Sequence, residues 1–227
     1  HGALGVDAYR DELGYLPEAL CNYLLRLGWG HGDDEIIDRA QAVEWFDLDA
    51  VGRSASRFDF AKLENLNGHY LREADNGRLT GLVIAWLAKD LPALDKDTAL
   101  TRISAGMNGL KLRAKTIKEL AESARFYVER PAFPLDNPKA AKLLEGDGRT
   151  HLAQAAERLS NSPDWGEAGL EAAIRELSET TGLGLGKFAQ PLRAALTGSN
   201  SSPGLFEVMA VLGREESLAR IDAALRS

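Results

Sequence analysis

The sequence has one cysteine, few aromatic residues and no long apolar run, and each scarcity excludes a class of protein. The single Cys21 excludes an internal disulfide and is typical of a reducing compartment. Aromatic residues make up only 7% of the chain. No run of about 18 apolar residues occurs, so no membrane span is predicted.

Residue patterns for metal binding and catalysis are also missing. Neither His-x-x-x-His nor Cys-x-x-Cys occurs, so the sequence predicts no metal site. No base–nucleophile pattern is visible either, and we predict no catalytic residue in this chain. Gly182-Leu-Gly-Leu-Gly186 lacks the strand-then-helix context of a dinucleotide loop and is interpreted as a helix terminus. Asp33-Asp34-Glu35 is interpreted as the solvated start of a short helix and not as a cation site.

The residues that are abundant favour helices and a sizeable core. The 227 residues are 44% hydrophobic, and Leu, Ala and Glu, which lose little freedom in a helix, are frequent. We expect Cys21 to lie on a buried helix face. The formal net charge of −7 argues mildly against a general nucleic-acid binder, although local basic patches remain compatible with a selective one.

Helical periodicity continues along most of the chain. Pro17 suits a first helical position, Gly28 a helix end, and Asp59 an N-cap for a helix that begins near Phe60. Further helices are predicted over residues 79–88, 98–107, 116–128, 151–159 and 165–177. Prolines interrupt the pattern within residues 130–138.

The segment from Gly186 to Phe206 has the composition of a helix, a polar loop and a second helix. The first helix is predicted to end at Leu196-Thr197-Gly198, and the second to begin at Pro203-Gly204 with Ser201 or Ser202 as its cap. Hydroxyls, free backbone N–H groups and Arg193 could together hold an unstacked nucleotide. A helix–loop–helix corner with a structural arginine has the same composition, so both interpretations stay open.

Both ends of the chain resemble one family, the bacterial glutamyl-tRNA synthetases. The opening His1-Gly-Ala and the block that continues to His31 resemble the segment after that family's lysine-rich ATP-binding loop. Pro191–Gly198 with Ser202–Phe206 resembles its C-terminal anticodon-binding block. Between them, the pattern from Ser54 to Tyr70 and the segment Lys115–Leu120 with Phe126-Tyr127 fit the same family. The resemblance covers essentially the whole chain and is specific at its two ends.

The resemblance implies a mainly α fold with three parts. A stem-contact-type helical subdomain would occupy residues 1–75. A two-part α-helical anticodon-binding cage would follow, with its first part over residues 76–135 and its second over residues 136–227.

The resemblance also implies which residues contact tRNA. Anticodon contacts would fall on Arg193, Ser202, Pro203 and Leu205. Arg113 matches a family arginine that senses the last anticodon base, although its basic run of Lys111, Arg113, Lys115 and Lys118 could equally be a solvated face. Contacts to the tRNA stem and its phosphates would fall on a further basic set: Arg53, Arg57, Lys62 and Lys115.

The parts of this family that activate glutamate lie outside these residues. We therefore expect the chain to be the tRNA-binding portion of a glutamate–tRNA ligase, inactive by itself, with no cofactor of its own. The parent enzyme would use ATP and Mg²⁺. The expected partners are tRNA(Glu) and the catalytic domain of the same polypeptide, with the chain monomeric, cytoplasmic and not bound to a membrane. The alternatives are a helical adaptor that binds proteins and, with less support, a helical hydrolase or lyase.

Overall fold

A computed structural model describes residues 4–52 and 56–227, and every regular element in those residues is helical. The mainly α prediction is therefore confirmed. The elements are α1 (Val6–Asp11), α2 (Pro17–Gly28), α3 (Arg39–Trp45), α4 (Phe60–Glu73), α5 (Asn76–Leu87), α6 (Lys96–Lys111), α7 (Ile117–Ala124), a 3₁₀ helix (Arg125–Tyr127), α8 (Pro138–Lys142), α9 (Asp147–Ser160), α10 (Glu167–Thr181), α11 (Gly186–Thr197), α12 (Leu205–Leu212) and α13 (Arg214–Arg226).

The chain divides into two compact units. The first is drawn from His1–Asp90 with Lys111–Glu122, and the second from Leu91–Leu110 with Ser123–Ser227. The three-part division at residues 75 and 135 is a different partition and stays a prediction. None of the helices in the described residues combines the length and apolar composition that a membrane span requires.

The core of the first unit lies between α2 and α4. Leu20 and Tyr23 of α2, Leu63 of α4 and Tyr15 from the chain before α2 are buried together, and the three-residue spacing of Leu20 and Tyr23 places both on one face of α2. Pro17 begins α2, and Asp59 caps α4 by accepting the backbone N–H groups of Ala61 and Lys62, as the sequence predicted.

A buried asparagine joins three segments of this unit. Asn67 of α4 is fully buried; its Oδ1 accepts the Leu16 N–H at 2.7 Å, and its Nδ2 donates to the Lys115 carbonyl. Nearby, Gly14 adopts a positive φ of 76°, and its carbonyl accepts the Ile117 N–H at 2.8 Å. A Cβ on Gly14 would lie 2.7 Å from the Lys118 nitrogen, so only glycine fits this close approach.

The helix predicted to start at Asp33-Asp34-Glu35 starts later, so that prediction was wrong. Asn22 holds the intervening chain by donating to the Glu35 carbonyl and accepting the Ile37 N–H, both at 2.9 Å. Asp38 then caps α3 with a reciprocal capping box, in which its carboxylate accepts from Gln41 N and the Gln41 side chain accepts from Asp38 N. The reciprocal pair, and not the preceding acidic run, sets the start of α3.

The predicted burial of Cys21 was also wrong, because Cys21 is exposed. Its neighbours Leu20, Asn22 and Tyr23 are buried, so the inward face of α2 is occupied by these side chains and not by Cys21. Composition indicated a buried helix but could not set which side of α2 faces the core.

The second unit is built around α11. Buried side chains of this helix, including Phe188, Leu192 and Leu196, pack against the apolar faces of α9, α12 and α13. The helix ends where the sequence predicted, with Gly198 in the left-handed conformation at φ 69°. Gly182 ends α10 in the same way, at φ 71°, which confirms its interpretation as a helix terminus.

A buried arginine crosslinks the end of α11 to the chain after α7. The Arg220 side chain is 1% exposed and donates to the carbonyls of Phe126 and Leu196, both at 2.7 Å. Its Nε also donates to the Glu216 carboxylate at 2.7 Å, and Arg130 donates two further hydrogen bonds to the same carboxylate. The Arg130 guanidinium, followed by Arg220, lowers the pKa of Glu216 from its ordinary value to about 2.

Candidate nucleic-acid interface

A cleft of about 730 Å³ lies in the first unit, between the C-terminal part of α2 and one face of α4. On α4 that face consists of Lys62, Asn65, Leu66 and His69, which recur at the spacing of one helical stripe. Apolar side chains that line the cleft come from both helices and from the chain before α3: Tyr23, Leu27, Ile36 and Leu66. The cleft is thus an apolar surface bordered by polar groups.

Cations outnumber carboxylates in the described lining of this cleft. Its basic side chains are Arg26, Arg57, Lys62 and His69, and its carboxylate is Glu35. Arg26 lies 3.7 Å from the Glu35 carboxylate, with 38% of the Arg26 side chain exposed. An ion pair this exposed is screened and worth little, so Arg26 is able to exchange Glu35 for another anion.

The structure brings together two of the four predicted stem-contact residues. Arg57 and Lys62 both line the cleft, whereas Arg53 lies outside the described residues. Lys115 lies along a different face of α4, with its Nζ 4.0 Å from the Glu64 carboxylate and its side chain beside Gly68. Sequence reasoning missed Arg26, Asn65 and His69. The four-residue stripe on α4 was the available signal for the last two.

The second candidate region is the loop between α11 and α12, which is closely tied to its own arginine. Arg193 is half-buried, and its Nη1 donates to the Pro203 carbonyl at 2.8 Å, to the Ser202 carbonyl at 3.2 Å and to the Ser202 hydroxyl. The Ser202 hydroxyl in turn donates to the Pro203 carbonyl at 2.9 Å. In this structure Arg193 therefore supports the loop, as the structural-arginine interpretation expected.

The other predicted anticodon contacts are largely enclosed. Ser202 is 8% exposed and Leu205 4%, and Pro203 is also buried. The predicted start of the second helix was wrong: α12 begins at Leu205, with Gly204 at the N-cap and no side-chain cap. The Ser202 hydroxyl cannot cap the helix because it is already engaged with Pro203 and Arg193.

Glu207 lies beside the end of the same loop. Its carboxylate is close to Gly204, at the N-cap of α12, and to Gly109 of α6. Burial raises the pKa of Glu207, the nearby Glu167 adds to the rise, and the backbone N–H groups of Gly109 and Gly204 oppose it. The loop is thus fixed at Ser202 and Pro203 by Arg193, and Glu207 lies against it at Gly204.

The basic run after α6 does not form one patch. Arg113 and Lys118 are exposed, while Lys111 donates to the Ala74 carbonyl at 3.2 Å and Lys115 faces Glu64. No structural observation assigns an anticodon base to Arg113, so its role stays a prediction. Within residues 4–52 and 56–227, no group of three or more His, Cys, Asp or Glu side chains is arranged to hold a metal ion.

A family model described as an anticodon binding domain matches residues 78–225. The match runs from α5 to α13 and includes the loop between α11 and α12. It supports the interpretation of the chain as an anticodon-binding portion over the protein-binding adaptor.

Two curated relatives match the chain over almost its whole length. Glutamate–tRNA ligase 2 of Rhizorhabdus wittichii is 59% identical over 99% of this chain and 47% of its own length. Glutamate–tRNA ligase 1 of Sphingopyxis alaskensis is also 59% identical, over 99% of this chain and 46% of its own length. The chain spans about half the length of the curated relatives it matches.

A solved structure supports the same assignment. A glutamate tRNA ligase from Elizabethkingia meningosepticum, crystallised with its amino acid, matches with a TM-score of 0.82 and 29% identity, over 96% of this chain and 42% of that one. The family model covers more than half of this chain, and the relatives and the solved structure carry one name. The chain therefore belongs to the anticodon-binding domain family, in the form found in bacterial glutamate–tRNA ligases.

Proposed function

We propose that this chain binds tRNA(Glu) and recognises its anticodon, as the tRNA-binding portion of an enzyme that joins glutamate to tRNA. The observation that carries this proposal is the anticodon-binding domain match over residues 78–225. In the parent polypeptide, a catalytic domain outside these residues would perform the chemistry with ATP and Mg²⁺. The setting would be the cytoplasm, where the protein would act as a monomer.

The second unit would read unstacked anticodon bases. A loop whose backbone is already fixed loses little conformational freedom when RNA binds, and preorganisation of this kind strengthens binding. The hydrogen bonds from Arg193 to the loop supply that rigidity. Arg193, Ser202, Pro203 and Leu205 of this unit remain the proposed anticodon contacts, together with Arg113 of the first unit.

The first unit would contact sugar and phosphate groups. Such contacts orient RNA without reading its sequence, and they make binding sensitive to salt. Arg57, Lys62 and Lys115 are the proposed stem contacts among the described residues, and Arg53 is a further one by sequence.

A binding titration tests the proposal. Purified chain is titrated with unmodified tRNA(Glu) and with the same tRNA carrying a swapped anticodon, each at low and at moderate salt. We expect salt-dependent binding that weakens on the swap. Binding that ignores the swap would refute anticodon recognition, and the absence of binding to both RNAs would refute the proposal as a whole.

A second assay tests the assignment of the chemistry to the rest of the parent polypeptide. ATP–pyrophosphate exchange in the presence of glutamate is measured with the purified chain, beside a buffer control. We expect no exchange above the control, and exchange above it would overturn this part of the proposal.

A further inference from the structure

We infer that the cleft of the first unit is a pocket for one nucleotide, which it holds by both the phosphate and the base. The nucleotide would be either a free mononucleotide or a single unstacked unit of a bound RNA. The inference deepens the proposed function, and only its RNA source rests on that function.

The size of the cleft and its apolar floor fit a nucleotide. A volume of about 730 Å³ lies within the range of roughly 300–1,000 Å³ that is usual for small-molecule pockets. Leu27, Ile36 and Leu66 give it an apolar floor, and Ile36 is 41% exposed. A heterocyclic base on this floor would cover apolar surface that water now contacts. A surface that contacted only the sugar–phosphate backbone of RNA would need charged and polar groups and not an exposed apolar floor.

The cations of the cleft come from three separate parts of the chain. Arg26 lies near the end of α2, Lys62 in the first turn of α4, and Arg57 on the segment that precedes α4. Arginine and lysine are the residues that bind phosphate oxygens most strongly. The Arg26 guanidinium plane can also stack on a base, and the exposed Asn65 amide can hydrogen-bond to a base edge.

The walls of the cleft are held in place without a ligand. The Tyr23 hydroxyl accepts the Asp59 N–H at 2.6 Å, and the Ser56 hydroxyl donates to the Leu27 carbonyl. Gly52 donates its N–H to the Gly28 carbonyl at 2.7 Å. These bonds hold Ser56 and Asp59, which flank Arg57, against α2, so the pocket exists before binding and the ordering cost is small.

Glu35 provides a sensitive test, because it is the carboxylate that now faces Arg26. An incoming phosphate must displace it. Glu35→Gln should therefore raise affinity by about twofold to fivefold, the effect of one exposed charge pair. A gain of affinity cannot result from misfolding.

The experiment uses the full 227-residue chain and two kinds of probe. Inorganic phosphate and the four ribonucleoside 5′-monophosphates are titrated against isotope-labelled protein by nuclear magnetic resonance, and unmodified tRNA(Glu) is titrated in parallel. The variants are Arg26→Ala, Lys62→Ala, Glu35→Gln and Asn65→Trp, of which the last fills the cleft without removing a cation. Lys118→Ala, an exposed lysine outside the cleft, is the matched control.

We expect Arg26→Ala and Lys62→Ala each to weaken nucleotide binding about tenfold, the loss of one charge-assisted contact. Asn65→Trp should weaken it similarly, and Lys118→Ala should leave it unchanged. If the bound nucleotide belongs to tRNA, the same pattern appears with tRNA(Glu), and the salt slope falls by about 1 for Lys62→Ala. If only the mononucleotides show the pattern, the source is a free nucleotide.

Three results would overturn the inference. In the first, no cleft variant changes the binding of any probe. In the second, the alanine variants weaken tRNA binding while Asn65→Trp does not, which would reduce the cleft to a surface that touches phosphates. In the third, inorganic phosphate binds as tightly as every mononucleotide, which would show that the base contributes nothing to binding. If the parent chain binds no tRNA, the proposed function fails, and the mononucleotide titration alone decides the inference.

Discussion

The cleft of the first unit and the α11–α12 loop of the second use arginine in different ways. In the cleft, Arg26 is partly exposed and faces a carboxylate that it can exchange. In the second unit, Arg193 donates to the carbonyls of its own loop, and the fully buried Arg220 donates to carbonyls at the ends of two other elements. The same residue type thus contributes an anion site in one region and rigidity in the other. Its position in the sequence does not show which.

Replacement of Arg220 should have the largest effect, because it tests whether rigidity in the second unit depends on an internal arginine. Arg220→Ala leaves the Phe126 and Leu196 carbonyls without this donor and Glu216 without one of its two partners. We expect the free energy of unfolding to fall by about 3–5 kcal/mol, as when one member of a buried pair is removed. Urea denaturation followed by circular dichroism measures the loss.

Arg226→Ala on the same helix is the control for that experiment. Its side chain is 78% exposed and pairs with Asp222 at the surface, so the expected change is within about 1 kcal/mol. Equal losses for the two variants would mean that burial of Arg220 contributes nothing.

The pH dependence of stability sharpens the same comparison. The pKa of Glu216 is lowered to about 2, so its carboxylate contributes stability above the ordinary value of about 4.5 and loses it as the pH falls through 2. Glu216→Gln should therefore have a lower free energy of unfolding than the parent near pH 7, and this difference should become smaller toward pH 3. Urea denaturation at both pH values checks this, with the exposed neighbour Glu215→Gln as control. A difference in unfolding free energy that does not change with pH would contradict the lowered pKa of Glu216.

Replacement of Arg193 asks whether this arginine supports the loop or touches the RNA. Arg193→Ala should weaken binding of tRNA(Glu) by about 1–3 kcal/mol. Since the loop loses its donor to Ser202 and Pro203, amide hydrogen exchange over residues 199–205 should also become faster. Weaker binding with unchanged exchange would show direct contact with the RNA, and faster exchange with unchanged binding would remove this loop from recognition.

The smallest expected effect concerns the cap of α4, which positions the stripe of the cleft. Asp59→Ala should lower the free energy of unfolding by about 0.5–2 kcal/mol, because the N–H groups of Ala61 and Lys62 lose their acceptor. Hydrogen exchange resolved by peptide should place the change in α4 and not in the second unit. Asp59→Asn, which keeps a capping oxygen, should retain most of the stability, and an equal loss in both variants would point to the charge instead.

Elements whose start and end residues have a local cause were predictable from the sequence. Pro17 and Asp59 begin α2 and α4, and Gly198 ends α11, because each residue suits its position through its own backbone or side chain. The prediction failed at α3 and α12, where the start is decided by a reciprocal pair at Asp38 and by the prior engagement of Ser202. Residue composition does not show which of the competing hydrogen bonds forms.

The candidate sites were predictable only in part, for a similar reason. The sequence indicated Arg57 and Lys62 but not Arg26, which lies more than thirty positions earlier and reaches the same cleft only because α2 packs against α4. Cys21 shows the opposite error. A helical residue typical of cores is exposed because Leu20 and Tyr23 already occupy the inward face.

The sequence by itself determined the helical class, the helix ends at Pro17, Asp59 and Gly198, and the family, because these depend on local propensity and on residues that are close in the chain. The tertiary structure decided what each charged side chain meets. Arg220 donates to the Leu196 carbonyl, and Lys62 lines a cleft. In both cases the surroundings of the charge come from segments that are distant in the sequence. The electrostatic energy of a charged side chain depends on the groups that surround it in the fold more than on its place in the sequence.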